Sequence, residues 1–272
     1  MSEGEAGPPR LFDPDLRAQR RARFAARFAE HDILHGYAAG LVAERLMDVN
    51  RSFARVRITG DAGRQIEAAL PAGKLGAVST SEGGAGFDLI VSLLELHAEN
   101  DPIAAMVQAR EALAPDGLYI ATMFGGGTLG ELRTVLADAE IERDGGLSPR
   151  IFPFADVRDA GALLQRAGFA LPVADTDRLT IRYAEPLRLL ADLRGAGESN
   201  VLTARRRAFL KRATLMRALQ LYRERFAEPD GRVPATFQFL TMTGWRPHES
   251  QQKPLKPGSG AISLTEALKP RG

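Results

Sequence analysis

The fold is decided by the stretch FDLIVSLL, residues 87–94. This nearly continuous apolar run is typical of a parallel strand whose two faces are both covered. Similar runs, Phe53 to Ile58 and Leu118 to Phe124, stand before and after it. Between residues 87–94 and Leu118, Asp101 and Pro102 provide the N-cap and first residue of a helix. Strands that alternate with helices predict an α/β fold with a mostly parallel sheet wound on both faces.

Helical patterns flank these strands. Residues 11–48 carry apolar side chains at loosely helical spacing among arginines, which predicts an N-terminal helical segment. A short helix is expected over Arg64 to Leu70 and another near Ala155 to Ala167. After Gly125-Gly126-Gly127, Thr128 and Glu131 have the spacing of a capping box and predict a further helix.

The order of elements changes in the last third of the chain. Leu179, Ile181 and Tyr183 alternate as in a half-buried strand, and Ala235 to Trp245 is a second strand. Residues 184–234 therefore form an insertion, with helices expected near Glu185 to Leu193 and Thr203 to Phe226. We expect one domain over residues 1–247 and a poorly packed tail over residues 248–272, where Pro, Gly and Ser accumulate.

Composition excludes several classes of site. Of 272 residues, 44% are apolar and 26% are charged, which is ordinary for a globular protein. The chain has no cysteine, so disulfides and thiolate chemistry are excluded, and its four scattered histidines do not predict a metal site. No apolar run reaches the length of a membrane-spanning helix. Residues 1–10 resemble neither a secretory signal nor a transit peptide, so a cytoplasmic location is expected.

Basic residues bunch in two places, Arg17 to Arg27 and Arg205 to Arg225, although the net charge is only +2. Such clusters suit an acidic partner or nucleic acid, but solvated helix faces are the simpler interpretation. No nucleic-acid partner is expected.

Several short motifs carry a family resemblance. They are LFDPDL at 11–16, MFGGGTL at 123–129, GGLSP at 145–149, GESN at 197–200, VPAT at 233–236, GW at 244–245 and HESQ at 248–251. In this order and spacing they resemble the family of assembly factor five of NADH dehydrogenase complex I, within the class I S-adenosylmethionine-dependent methyltransferases. The resemblance implies a Rossmann-like methyltransferase fold with an antiparallel last strand. The mitochondrial member of this family is understood to hydroxylate an arginine of a complex I subunit during assembly, so the resemblance implies a protein substrate from a respiratory complex here.

The resemblance also implies a cofactor site, because a glycine-rich loop after the first strand approaches the methionyl part of S-adenosylmethionine. Here that stretch is Ile58-Thr59-Gly60-Asp61-Ala62-Gly63, in which only Gly60 matches in register and Gly63 is displaced. A working cofactor loop and a simple turn between strand and helix are both compatible with it. The implied cofactor-binding residues are Gly60, Asp61, Gly63, Glu82 and Ser92.

The second strand of the family sheet normally ends in an acid that binds the ribose hydroxyls. Lys74 to Thr80 is the candidate strand here, and Glu82 is the nearby acid. Only Ser81 to Gly86 follow before the next strand, whereas a parallel crossover takes about a dozen residues. Either these six residues are a stretched return link, or Lys74 to Thr80 is not a parallel strand. Both alternatives predict that one outer strand and helix are missing, and that S-adenosylmethionine binds weakly or not at all.

The carboxyl ends of the strands carry the other candidate residues. Glu95 and His97 follow a buried strand and are candidate catalytic groups, although a histidine there is often structural. Phe124, Gly125, Gly126 and Thr128 are candidate substrate-binding residues. So are Glu198, Ser199 and Asn200, a polar loop that either separates two inserted helices or recognises a cationic substrate such as an arginine side chain.

The sequence leaves the activity open. The first hypothesis is a methyltransferase-family enzyme that modifies a protein substrate, by methylation or by hydroxylation. The alternative is a non-catalytic complex I assembly or binding protein that has lost its cofactor affinity. A small-molecule methyltransferase is a weaker third hypothesis, because the motifs match the assembly-factor family.

Overall fold

A computed structural model describes residues 10–61, 63–81 and 83–251. Within them, six strands form one sheet: β1 (Phe53–Thr59), β2 (Leu75–Ser79), β3 (Phe87–Leu93), β4 (Leu113–Phe124), β5 (Ala170–Tyr183) and β6 (Val233–Trp245). Their order across the sheet is β2-β1-β3-β4-β6-β5. Neighbours among β1 to β4 pair in parallel, whereas β6 pairs antiparallel with both β4 and β5. The predicted Rossmann-like sheet with an antiparallel last strand is confirmed.

Eight α-helices surround this sheet in the part of the chain that is described. They are α1 (Pro14–Phe24), α2 (Ile33–Asp48), α3 (Gly63–Ala68), α4 (Pro102–Ala112), α5 (Gly130–Asp144), α6 (Val157–Arg166), α7 (Pro186–Gly195) and α8 (Arg212–Phe226). Short 3-10 turns occupy Ala25–Glu30 and Leu96–Ala98. Asp101 caps α4 as predicted, since its side chain accepts a hydrogen bond from the Ala104 backbone N–H at 2.9 Å.

Alternate residues of the central strands enter two separate cores. Leu89 and Val91 of β3 pack with α2, α5 and α8 in the larger core, whereas Ile90 packs with α4 and α6 in the smaller one. All three side chains are at most 1% exposed. The strand is covered on both faces, which is why its sequence is apolar without alternation.

The pairing of β2 decides between the two alternatives for Lys74 to Thr80. This segment is a parallel strand, and the residues after it form a stretched return link. β2 pairs in parallel with β1, and β3 lies on the other side of β1, so the chain returns across β1 between Ser79 and Phe87. That link holds seven residues, of which Glu82 lies outside the described residues, and it has no room for a crossover helix. The described sheet thus has six strands, where a class I methyltransferase has seven, and the predicted loss of an outer strand is confirmed.

The predicted capping box at Thr128 and Glu131 is wrong. The Thr128 hydroxyl donates to the Gln238 carbonyl at 3.1 Å and accepts from the Gln238 N–H, and the Glu131 carboxylate accepts from Thr236. Both side chains join α5 to β6 instead of capping α5, whose N-cap residue is Leu129 without a side-chain bond.

Two element boundaries also differ from the sequence expectation. The second inserted helix begins at Arg212 instead of Thr203, so residues 203–211 form a loop. β4 begins at Leu113, so Asp116 and Gly117 lie inside the strand instead of before it, and Asp116 has a φ of 60°.

The C-terminal tail is described only up to Gln251, whose side chain donates a hydrogen bond to Asp116. Residues 252–272 lie outside the described residues, so the proposed domain boundary stays a prediction.

No helix among the described residues combines the length and apolar character that a membrane span needs.

Candidate functional site

The site lies where β1, β3 and β4 end, beneath helix α1. α1 contributes no fully buried residue, although its Leu16 packs partly buried against a small core that includes Phe12 and Val201. It is also attached by arginines on one face, since Arg17 and Arg21 are one helical turn apart. Their side chains are only 11% and 21% exposed. The interpretation of the Arg17 to Arg27 cluster as a solvated helix face is therefore wrong for these two residues.

Arg17 fixes the chain just after β3. Its guanidinium donates to the carbonyl oxygens of Leu94 and Glu95 at 3.0 and 3.3 Å and lies 3.0 Å from the Glu95 carboxylate. Leu94 has a φ of 53°, a left-handed conformation that is unfavourable for leucine. Backbone strain of this kind concentrates at functional sites.

Arg21 lies among three carboxylates. Its Nη1 donates to Glu95 Oε1 at 2.5 Å, its Nε is 3.8 Å from Asp61 Oδ2, and its Nη2 is 4.0 Å from Glu198 Oε1. Although burial lowers the pKa of Arg21, the charges of Glu95, Glu198 and Asp61 raise it overall. The three carboxylates therefore stabilise a guanidinium at this position.

Glu198 connects this group to His97. Its Oε2 lies 2.8 Å from His97 Nε2, and the two side chains are 6% and 0% exposed. Burial by itself would raise the pKa of Glu198, but the charge and hydrogen bond of His97, together with Arg17 and Arg21, lower it to about 2. Glu198 is therefore an anion at neutral pH. The candidate catalytic residue His97 is enclosed by Phe124, Phe152 and Phe154, so it is not open to a ligand in this conformation.

A cavity of about 720 Å³ opens beside Arg21; we call it the strand-end cavity. Its lining includes Gly60, Asp61, Thr80, Ser92 and Glu95. It extends along the sheet face of Arg57 and Tyr119 towards α4. The cavity lies on the side of the sheet where the missing strand and helix would add cover. Of the predicted cofactor-binding residues, Gly60, Asp61 and Ser92 line it, whereas Gly63 begins α3 and contacts Ile58.

The strand-end cavity is lined by Gly60, Asp61 and Ser92, three of the residues expected to contact S-adenosylmethionine, but one expected contact is missing. Asp61 would supply negative charge for the cationic cofactor, whereas Glu95 is already paired with Arg17 and Arg21. Of the described residues after β2, Thr80 and Ser81 offer hydroxyls and none offers a carboxylate for the ribose. Gly60, with a φ of 105°, is required by the protein itself, because an added Cβ would lie 2.3 Å from the Leu93 carbonyl oxygen.

The predicted substrate-binding residues divide between two places. Phe124, Thr128, Glu198, Ser199 and Asn200 line a second cavity of about 470 Å³ on the other side of Arg21 and Glu198.

Gly125 and Gly126, which belong to the same sequence motif as Phe124 and Thr128, do not line this second cavity. An added Cβ at Gly125 would lie 3.0 Å from Gln238, and the N–H of Gly126 donates to Ala155. Gly125 permits close packing against β6, and the backbone of Gly126 is bonded to the segment before α6, so the structure places both with the scaffold.

Sequence reasoning missed the arginines that organise the site. Arg17 and Arg21 meet partners more than 70 positions away, and only their spacing of four residues signalled a shared face. Arg57, on β1, is only 7% exposed, with its guanidinium 5.2 Å from the Phe87 ring centre. No group of three or more histidine, aspartate or glutamate side chains suited to a metal ion occurs within the described ranges.

Comparison with known proteins identifies the relatives of this chain. No family model matches it. The mouse arginine-hydroxylase NDUFAF5 is 47% identical over 183 residues, which is 67% of this chain and 53% of the mouse protein. The human protein of the same name is 48% identical over 180 residues, or 66% and 52% of the two chains. The predicted resemblance to the assembly factor five family is confirmed.

A malonyl-[acyl-carrier protein] O-methyltransferase from Halorhodospira halophila is 35% identical over 159 residues, covering 58% of this chain and 52% of that protein. The chain thus spans about half the length of the curated relatives that it matches. The mouse, human and zebrafish relatives are all named as mitochondrial proteins. The predicted cytoplasmic location is wrong by this comparison, because composition and charge do not encode the compartment.

Solved structures give more distant similarities. The YcgJ protein of Bacillus subtilis matches with a TM-score of 0.46 and 13% identity, covering 79% of this chain and all of that one. The 1,6-didemethyltoxoflavin-N1-methyltransferase of Burkholderia thailandensis matches with a TM-score of 0.42 and 13% identity, covering 91% and 99%.

Proposed function

We propose that this chain is a methyltransferase-family protein that acts on an arginine of a protein substrate during the assembly of respiratory complex I. Its similarity to arginine-hydroxylases at 47–48% identity supports the substrate class. The observation that carries the proposal is the position of Arg21. Asp61, Glu95 and Glu198 converge on its guanidinium at the carboxyl ends of the strands.

A substrate arginine would enter through the strand-end cavity. Asp61 and Glu99 line this cavity with side chains that are 47% and 44% exposed, so their carboxylates are accessible to a second guanidinium. Charge-assisted hydrogen bonds of this type are about twice as strong as neutral ones and favour the planar guanidinium of arginine. In the conformation described here, Arg21 competes with the substrate for Glu95 and Glu198.

S-Adenosylmethionine would occupy the same cavity beside Gly60, Asp61 and Ser92, and when bound it supplies a methyl group. We expect weak binding, because no carboxylate among the described residues directly follows β2. Losing a charged acceptor costs about 1.5 to 3 kcal/mol, which weakens binding by roughly one to two orders of magnitude. Low-micromolar binding in a calorimetric titration of the purified chain would contradict this expectation, and Asp61→Ala and Glu82→Ala would then identify the responsible acid.

The test of arginine recognition uses N-acetyl-arginine amide as the probe and the citrulline analogue as the uncharged comparison. NMR titration should show that the arginine probe binds more tightly than the citrulline probe. Arg21→Met should strengthen this preference, because it removes the guanidinium that competes for Glu95 and Glu198, whereas Arg27→Met should leave it unchanged. Among the described residues Arg27 pairs with the exposed Glu30 alone, and it serves as the matched control. Equal binding of the two probes by all three proteins would refute the proposal.

A non-catalytic assembly role is the second candidate, and the Gly60 geometry favours it. Since Leu93 alone explains the glycine, this glycine is not evidence for a working cofactor loop. The two candidates differ in product. Mass spectrometry of an arginine-bearing complex I subunit, incubated in air with the chain, S-adenosylmethionine and a two-electron reductant, should show an added methylene for methylation, an added oxygen taken from dioxygen for hydroxylation, or no change for a binding role.

A further inference from the structure

The second cavity has properties that the proposed function does not use. Its floor is apolar and includes Phe124, Leu132, Phe152 and Phe237, all of which are buried core residues. Its volume of about 470 Å³ falls in the range in which proteins bind small molecules. A ligand that fills it therefore needs an apolar body.

Arginines dominate the mouth of this cavity. Of the described residues that line it, seven are arginines and one, Glu198, is acidic. Arg150 is paired with Glu140 and does not count toward the free charge. The remaining six come from α1, α7 and the loop before α8, namely Arg20, Arg23, Arg194, Arg205, Arg206 and Arg207. We call this the arginine-rimmed cavity.

The charge of the rim is only partly balanced. Arg205 lies 3.5 Å from Asp13, and Arg206 lies 3.2 Å from Asp144. Arg23, Arg194 and Arg207 form no ion pair within the described residues. Glu198 does not offset them, because its carboxylate is bound to His97 and faces Arg21. A cationic group is therefore disfavoured in this cavity, and an anion is favoured.

The arginines also repel one another. Burial is the largest cause that lowers the pKa of Arg20, followed by the like charges of Arg205 and Arg23. A bound anion would relieve this repulsion. Phe209, which is 99% exposed, stands at the same mouth and extends the apolar surface outward.

We propose that the arginine-rimmed cavity binds an anionic amphiphile, in which an acyl chain lies on the apolar floor and a phosphate or carboxylate head contacts the arginines. Guanidinium groups bind such heads with two parallel hydrogen bonds. Free amphiphiles and the lipids of an anionic membrane share this chemistry. A volume of about 470 Å³ suits one such molecule, so we assign the site to a single amphiphile.

Calorimetric titration of the full chain with monomeric dodecyl phosphate tests the assignment. Binding should weaken on shortening the chain, by roughly fourfold for each methylene removed. Inorganic phosphate and dodecyltrimethylammonium should bind far more weakly, because each lacks one of the two required parts. Equal binding of the cationic amphiphile, or affinity independent of chain length, would overturn the proposal.

Two variants locate the site. Arg23→Gln combined with Arg207→Gln should weaken dodecyl phosphate binding by about tenfold or more. Arg27→Gln, a change of the same type away from the cavity, should leave it unchanged. These exposed residues do not contribute to the core, so loss of folding is not expected. Unchanged binding by the double variant would overturn the assignment. Binding only to phosphatidylglycerol vesicles, with none to the monomer, would also overturn it and indicate a membrane surface instead.

Discussion

Replacing Glu198 with glutamine tests the buried charge group most directly. Glu198 is 6% exposed, lies 2.8 Å from His97 and faces Arg21 at 4.0 Å. Glutamine keeps the shape but removes the charge. The buried Arg21 then loses one of its three carboxylate partners, and the Nε2 of His97 loses the carboxylate that it contacts. We therefore expect Glu198→Gln to destabilise the protein at neutral pH.

The size of the effect follows from the pKa of Glu198. Lowering this pKa from 4.5 to about 2 corresponds to about 3 kcal/mol of folding stability, at ~1.4 kcal/mol for each pKa unit. Because the pKa is lower in the folded state, the contribution is fully present above pH 4.5 and is lost as the pH falls towards 2. The stability difference between the wild type and Glu198→Gln should thus shrink to roughly half or less by pH 3.

Urea unfolding monitored by fluorescence of the single tryptophan, Trp245, measures this difference at several pH values. Glu111→Gln is the matched control, because Glu111 is 67% exposed and lies 3.7 Å from Arg110. An exposed pair of this kind contributes less than about 1 kcal/mol. A Glu198→Gln variant as stable as the control at pH 7, or a stability difference that does not change with pH, would refute the reasoning.

Three further predictions concern the scaffold. Gly60→Ala should destabilise the protein by about 2 kcal/mol or more in urea unfolding, because its φ is 105° and its Cβ would meet Leu93, whereas Gly146→Ala should have no such effect. Thr128→Val should cost about 1 to 3 kcal/mol, because the Gln238 N–H loses its Thr128 acceptor, and the exposed Thr134→Val should cost less; equal losses would argue against the contact with β6. Burial raises the pKa of all four tyrosines, and most strongly those of Tyr119, Tyr183 and Tyr222. Ultraviolet absorption should therefore show the phenolates of these three only as the protein unfolds above pH 10, after that of Tyr37, and ionisation of all four together in the folded protein would contradict this.

The strands were predictable because each carries its own signal. Leu89, Ile90 and Val91 are buried on both faces of the sheet, so an uninterrupted apolar run was enough to place β3. The missing outer strand was also predictable, because it rests on counting residues between two strands. Chain length alone limits what can lie between Ser79 and Phe87.

The site was less predictable, because its contacts join distant parts of the chain. Arg21 meets Glu95 across 74 positions, and His97 meets Glu198 across 101. A local pattern cannot encode such pairs. Thr128 and Glu131 show a different kind of error, in which a local pattern was present but predicted the wrong contact. Their spacing suits a helix cap, yet both side chains bind a neighbouring strand.

Helix α1 connects the two cavities, and its attachment suggests how they influence each other. Arg17 and Arg21 face the carboxylates at the strand-end cavity, whereas Arg20 and Arg23 face the arginine-rimmed cavity. α1 has no fully buried residue, and its Leu16 packs only partly buried against a small core, so these polar contacts contribute strongly to its position. An anion bound to Arg20 and Arg23 would stabilise α1 in place, and a guanidinium that displaced Arg21 from Glu95 would release it. A ligand in one cavity therefore alters the free energy of binding in the other, and linkage requires this change to be the same in both directions. Dodecyl phosphate should accordingly weaken the binding of N-acetyl-arginine amide, and Arg21→Met should abolish that coupling; two ligands that bind independently in the wild type would show that α1 does not transmit it.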